Sequence, residues 1–251
     1  MVNDTVTGNP QLDERTAAML AALDAAETRP EAVALRQRSY ELLRLSPGSV
    51  VADIGCGTGR AVAELAAAGH AAAGVDVDAR MLAIARRRHP RLGFVEASAE
   101  KLPYADGEID GYRMDKVMHQ LAQPSVTAAE ARRVLRTGGR IVLVGQDWDT
   151  IGVAADDLPL TRAIVRGMAD SMPSPAVARD FRGLLVDNGF TDVRVDAVPL
   201  VFTDLTVIGS ALRMAAAASG EAGWLAEQEA RAESGRLTVC VVMYVAAATA
   251  A

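Results

Sequence analysis

Several things are scarce in this sequence, and each shortage excludes something. Its 251 residues hold two cysteines, Cys56 and Cys240, too few for a disulfide framework and without the paired spacing of a zinc site. The three histidines, His70, His89 and His119, are too scattered to supply a ligand set, so no metal is expected. Lysine occurs only as Lys101 and Lys116, and the formal charge is −6, which argues against a broad basic surface for nucleic acid or anionic lipid. The longest uncharged stretch, Leu237 to Ala251, is fifteen residues, short of the roughly 20 that a membrane helix needs. The start, MVNDTVTGNP, has neither the basic opening nor the apolar run of a secretory signal. These shortages lead us to expect a cytoplasmic protein with a small-molecule partner, no nucleic acid and no membrane; a homodimer is left open.

What is present is a foldable core. Half the residues are apolar and 23% are charged, a globular balance, and the length is within what one hydrophobic core supports. From residue 50 onward short β-branched runs alternate with segments of helical period, the pattern of an open, mostly parallel α/β sheet with helices on both faces. Seven strands are expected, at Val50–Ile54, Ala71–Asp76, Gly93–Glu96, Ile109–Arg113, Arg140–Gly145, Asp192–Val201 and Leu237–Val245. Helices are expected near Thr58–Ala68, Ala79–His89, Thr127–Arg136 and Ala176–Asn188, with Thr137-Gly138-Gly139 and Asn188-Gly189 as stops. Residues 1–47, 148–175 and 205–235 break the alternation and read as covers over the ligand edge of a single domain 1–251, with residues 48–147 as its ligand-binding core. The alanine-rich tail 246–251 reads as frayed.

The most informative stretch runs Val50-Val51-Ala52-Asp53-Ile54-Gly55-Cys56-Gly57-Thr58-Gly59: a strand ending in an acid, then a Gly-x-Gly-x-Gly turn into a helix. Glycines there permit positive φ and let a ligand lie against bare backbone. The nicotinamide fingerprint, G-x-G-x-x-G, has its third glycine one residue later and is not met. An acid before the turn would repel a pyrophosphate, whereas Asp53 can meet a ligand ammonium. The second strand ends in Asp76, whose carboxylate can accept both hydroxyls of a ribose. Val77 and Met81 can flank an adenine. A ligand with an adenosine end and an amino-acid end describes S-adenosylmethionine.

Further segments follow in order: Gly74-Val75-Asp76-Val77-Asp78 with Met81-Leu82, then Glu96-Ala97-Ser98-Ala99-Glu100-Lys101-Leu102-Pro103-Tyr104, Ile109-Asp110, Val117-Met118-His119-Gln120-Leu121 and Arg133-Val134-Leu135-Arg136-Thr137-Gly138-Gly139. With the glycine turn, this set over roughly residues 48 to 146 resembles the class I S-adenosylmethionine-dependent methyltransferases, close to the ubiquinone/menaquinone-biosynthesis type. The resemblance implies a Rossmann-like seven-stranded fold and methyl transfer to O, N or C of a small organic molecule, quinone-like or a natural-product intermediate, with S-adenosyl-L-homocysteine as product. It also implies that Asp53, Gly55, Gly57 and Gly59 hold the methionine end, that Asp76 takes the ribose, and that Ser98 and Ala99 face the adenine edge. Ser98 departs from the family, which usually has Asp there. Relatives that bind the cofactor without transferring a methyl group, cyclases among them, are the alternative.

Methyl transfer asks for positioning, exclusion of water and, for a poor nucleophile, a base. By its place after the fourth strand, His119 is the expected base. Asp115, four residues earlier, would share its face on a helical turn and orient the ring. Arg113 is placed to contact the cofactor, and the resemblance implies the same for Arg36 or Arg38 on the N-terminal helix. Trp148 and Asp147, after the fifth strand, are expected at the substrate, although Asp147 and Asp149 equally suit a loop cap.

Overall fold

The computed structural model describes residues 14–251. The first thirteen residues of the expected N-terminal cover lie outside this range.

A parallel block forms first, from β1 (Val50–Ile54), β2 (Ala71–Asp76), β3 (Gly93–Glu96), β4 (Ile109–Asp115) and β5 (Leu135–Gln146), in the order β3-β2-β1-β4-β5. Crossovers through α3 (Arg60–Ala67), α4 (Ala79–Arg88) and α5 (Pro124–Val134) are what short apolar strands separated by amphipathic segments dictate. Asp78 starts α4 by accepting the N–H groups of Arg80 and Met81, and the three arginines 86–88 end it where cations suit the dipole.

Beyond β5 the chain turns antiparallel. The last strand, β8 (Val239–Ala250), pairs with β5 on one edge and with β7 (Phe190–Phe202) on the other. A two-residue strand, β6 (Gly152–Val153), joins β8 at its start, so the described residues form eight strands rather than seven. The tail is therefore not frayed through Ala250. Ala246, Ala248 and Ala250 point into one apolar layer and Ala247 into the other, all essentially inaccessible. Hydrogen bonds to two neighbouring strands supply the order that small side chains cannot.

The layer on one face contains Tyr112, Met114, Ile141 and Phe181, with helices α5 and α7 (Phe181–Asp187). The other face carries α2 (Pro30–Leu43), α6 (Leu158–Asp170), α8 (Leu205–Ser219) and α9 (Ala222–Glu233), packed on Val142, Val144 and Val245. The expected helix over 176–188 divides into a 3-10 turn, Val177–Asp180, and α7. The Trp224 Nε1–H donates to Thr161 Oγ1 at 3.0 Å and ties α9 to α6. α1 (Glu14–Thr28), α2 and α8 line a cavity together with Asp115, Lys116 and Gln146 at the C-terminal ends of β4 and β5. Among the described residues no helix is long and apolar enough to cross a membrane.

Candidate active site

Two cavities open at that strand edge. The first, about 200 Å³, is lined by the glycine turn with Asp53, Met81, Arg113 and Asp115. The second, about 380 Å³, is walled mainly by apolar side chains of α1, α2, β7, α8 and β8. Leu23, Glu27, Arg36, Asp115 and Lys116 line both, so the two spaces adjoin.

The turn is built as its glycines demand. Gly55 has φ 71°, and a Cβ there would lie 2.2 Å from Val117 Cγ2, so backbone strain and close packing both exclude a side chain. Gly57 has φ 52° with nothing within 4 Å of a Cβ position, leaving its backbone bare. The Gly57 N–H donates to Asp76 Oδ2 at 2.8 Å, and the Asp78 N–H to Asp76 Oδ1 at 2.9 Å. Each oxygen keeps a lone pair, so the carboxylate is pre-oriented and still able to accept two hydroxyls. The Ala97 N–H donates to the Asp76 carbonyl and ties the loop after β3 to the end of β2.

Asp53 and Arg113 are opposite one another on paired strands and both buried. Arg113 Nη1 donates to Asp53 Oδ1 at 2.6 Å, Nη2 to Asp115 Oδ2 at 2.8 Å, and Nε to Ser39 Oγ at 2.8 Å, with its guanidinium 5.4 Å from the Tyr40 ring centre. Arg113 is thus the buried cation that holds the two acids in place. Burial alone would lower its pKa, but the carboxylates of Asp53 and Asp115 outweigh this and keep it charged. Burial pushes the Asp53 carboxyl up, while Arg113 opposes that rise. Asp53 Oδ2 receives no hydrogen bond among the described residues. An unpartnered carboxylate oxygen, bare glycine backbone and a pre-oriented second carboxylate fit the amino-acid and ribose ends of S-adenosylmethionine.

Asp115 does not serve His119. Lys116 adopts φ 60° immediately after β4, with its N–H on Val144 O, so no helical turn joins positions 115 and 119. Asp115 instead accepts from Arg113 and Lys116; burial would raise its pKa, but the two cations outweigh it and hold the carboxyl low. His119 is buried in a short 3-10 turn, 5.4 Å from the Trp148 ring, and lines neither cavity. Burial drives its pKa down to about 4, which makes the imidazole a weak base.

Asp147 is fully buried. Arg179 donates to both of its oxygens at 2.5 and 2.6 Å, and the Asp149 N–H to Oδ1, so it caps a loop rather than facing a substrate. Arg38 is exposed and pairs with Asp196 on β7 at 2.5 Å, away from both cavities; the cavity arginine of α2 is Arg36, held by Glu64 and Glu27. Trp148 lines the apolar cavity. Val77 is exposed beside the cleft, Ser98 is exposed with its Oγ accepting from the Glu100 N–H, and Ala99 is in the core; none of the three lines a cavity. Cys56 lines the cleft, but burial pushes its thiol pKa up. Sequence reasoning missed Glu27, Lys116 and Gln146 at the apolar cavity; only the rarity of lysine offered a signal.

Residues 52–143 match the family model of a methyltransferase domain. A Synechocystis protein described as an uncharacterized methyltransferase is 34% identical over 161 residues, 63% of this chain and 74% of that protein. The demethylmenaquinone methyltransferase of Beutenbergia cavernae is 34% identical over 108 residues, 43% of this chain and 45% of its own. The chain thus spans about half the length of several curated relatives that it matches. The geranyl diphosphate C-methyltransferase of Streptomyces coelicolor, solved with Mg2+, geranyl diphosphate and S-adenosyl-L-homocysteine, superposes with a TM-score of 0.56 at 17% identity, covering 97% of this chain and 86% of that one, a likeness of fold. The glycine turn flanked by Asp53 and Asp76 lies at the strand edge where such a sheet binds its ligand, and by its match to the Synechocystis relative the chain belongs to the class I S-adenosylmethionine-dependent methyltransferases.

Proposed function

We propose that this chain transfers a methyl group from S-adenosylmethionine to an O, N or C atom of a small organic molecule. The observation that carries the reading is the shared wall: a polar cleft built on the glycine turn opens beside an apolar cavity, and Asp115 and Lys116 line both. When bound, the cofactor supplies an electrophilic methyl group on a sulfonium. The protein's part is orientation and the exclusion of water. Asp53, held by Arg113, takes the ammonium; the backbone of Gly55, Gly57 and Gly59 lies against the methionine end; Asp76 takes the ribose. Val77 and Met81 flank the adenine, and the Ser98-Ala99 segment meets its edge. Trp148 walls the acceptor, with His119 as a positioning residue packed against the indole rather than a base.

Calorimetry with S-adenosyl-L-homocysteine tests the cleft, and incubation with methyl-labelled cofactor and a metabolite extract tests the transfer. Asp76→Ala should weaken product binding about 10²–10⁴-fold, the loss expected for two hydrogen bonds to a charged acceptor at about 1.5–3 kcal/mol each. Unchanged affinity would remove the ribose assignment, and binding without labelled product would favour a non-methylating relative.

A further inference from the structure

The apolar cavity has a polar group with no partner among the described residues. β5 runs Ile141-Val142-Leu143-Val144, all buried, and the apolar run stops at Gln146, where the strand reaches the cavity. The Gln146 side chain makes no hydrogen bond among the described residues, and its Oε1 is inaccessible to water. Trp148, on the same wall, is in the same state: its Nε1 is buried and unpartnered among the described residues. Buried polar groups normally find partners, and two exceptions on the wall of one cavity mark a place that a ligand completes. A half-turn of the Gln146 amide interchanges oxygen and nitrogen without changing its shape, so it can present an acceptor or a donor to a guest.

The charges around the same cavity point to what that guest lacks. Arg29 pairs with Asp204 and Glu31, Arg36 with Glu27 and Glu64, and Lys116 with Asp115 and Glu27, so each cation of the wall is already neutralised within the protein. The remaining wall is side chains such as Leu23, Ile208, Ala211, Val241 and Met243. Among the described residues no cation of this wall is left over for a phosphate or carboxylate, and desolvating a charged head against it would be costly.

We propose that Gln146 is a specificity-determining residue: its amide receives a hydroxyl of the methyl acceptor, and the site selects neutral, largely apolar hydroxylated molecules over charged ones. This rests on the reading of the second cavity as the acceptor site. The test uses protein saturated with S-adenosyl-L-homocysteine and three ring-matched probes, 2-naphthol, 2-methylnaphthalene and 2-naphthyl phosphate, measured by calorimetry at pH 7. The expected result is at least tenfold tighter binding of the naphthol than of either of the others. Gln146→Leu should erase the preference for naphthol over methylnaphthalene while homocysteine-nucleoside affinity stays the same; Gln146→Met serves as a second variant if the first fails to fold. Tightest binding of the phosphate, a preference that survives in the variant, or no binding of any probe to loaded protein overturns the inference alone. Failure of S-adenosyl-L-homocysteine itself to bind removes the cofactor reading, and this inference with it.

Discussion

The two cavities are made in different ways. The cleft is largely backbone: a turn, the ends of two adjacent strands, and two carboxylates whose directions are set by N–H groups and one buried arginine. The apolar cavity is largely side chain, gathered from α1, α2, β7, α8 and β8, which lie far apart in sequence. A backbone site tolerates change in the surrounding sequence as long as a few glycines and acids remain. A side-chain cavity takes a new shape with each substitution in its wall. One fold can therefore keep its cofactor chemistry while its acceptor site varies.

The largest effect is expected where the backbone site is broken directly. Gly55→Val places a β-branched side chain at φ 71° and against Val117, at a cost of about 2–5 kcal/mol in strain and overpacking. Product-nucleoside binding should fall below detection by calorimetry, with a lowered Tm. Wild-type affinity in that variant would show that the cleft does not depend on its turn.

A smaller effect sharpens the contrast on the acceptor side. His119 has a pKa lowered to about 4 by burial, so the unfolded chain binds its proton first as pH falls below the ordinary value of 6.5. Its contribution is neutral above pH 6.5 and becomes destabilising between 6.5 and 4, by at most about 3 kcal/mol. His119→Asn should flatten that part of the stability curve in denaturant titrations. Equal slopes in the two proteins would mean that the imidazole is not kept neutral by the fold.

The smallest effect belongs to the arginine that the structure turns away. Arg38→Ala removes an exposed ion pair to Asp196 worth about 0–1 kcal/mol, and nucleoside affinity should not change. A tenfold loss would return Arg38 to the cofactor.

The parallel strands were legible because each is a short apolar run bounded by polar or glycine punctuation, and β1, β2 and β3 match their expected bounds. The Ala246–Ala250 segment was misread because alanine carries little strand signal; its order comes from β5 and β7 on either side. Asp147 and Arg38 were misplaced for a related reason. Each stands at a plausible position along the chain, but its partner, Arg179 or Asp196, comes from a distant segment.

Local spacing by itself determined the glycine turn, the two strand-end acids and the alternation that makes an open sheet, because each depends on neighbours within a few residues. Only the tertiary structure decided that Arg113 clasps Asp53 and Asp115, that His119 lies outside both cavities, and that Gln146 stands in an apolar one without a side-chain partner among the described residues. Those facts depend on which side chains from separate segments compete for the same buried space and the same hydrogen-bond partners, and that competition exists only after the chain has folded.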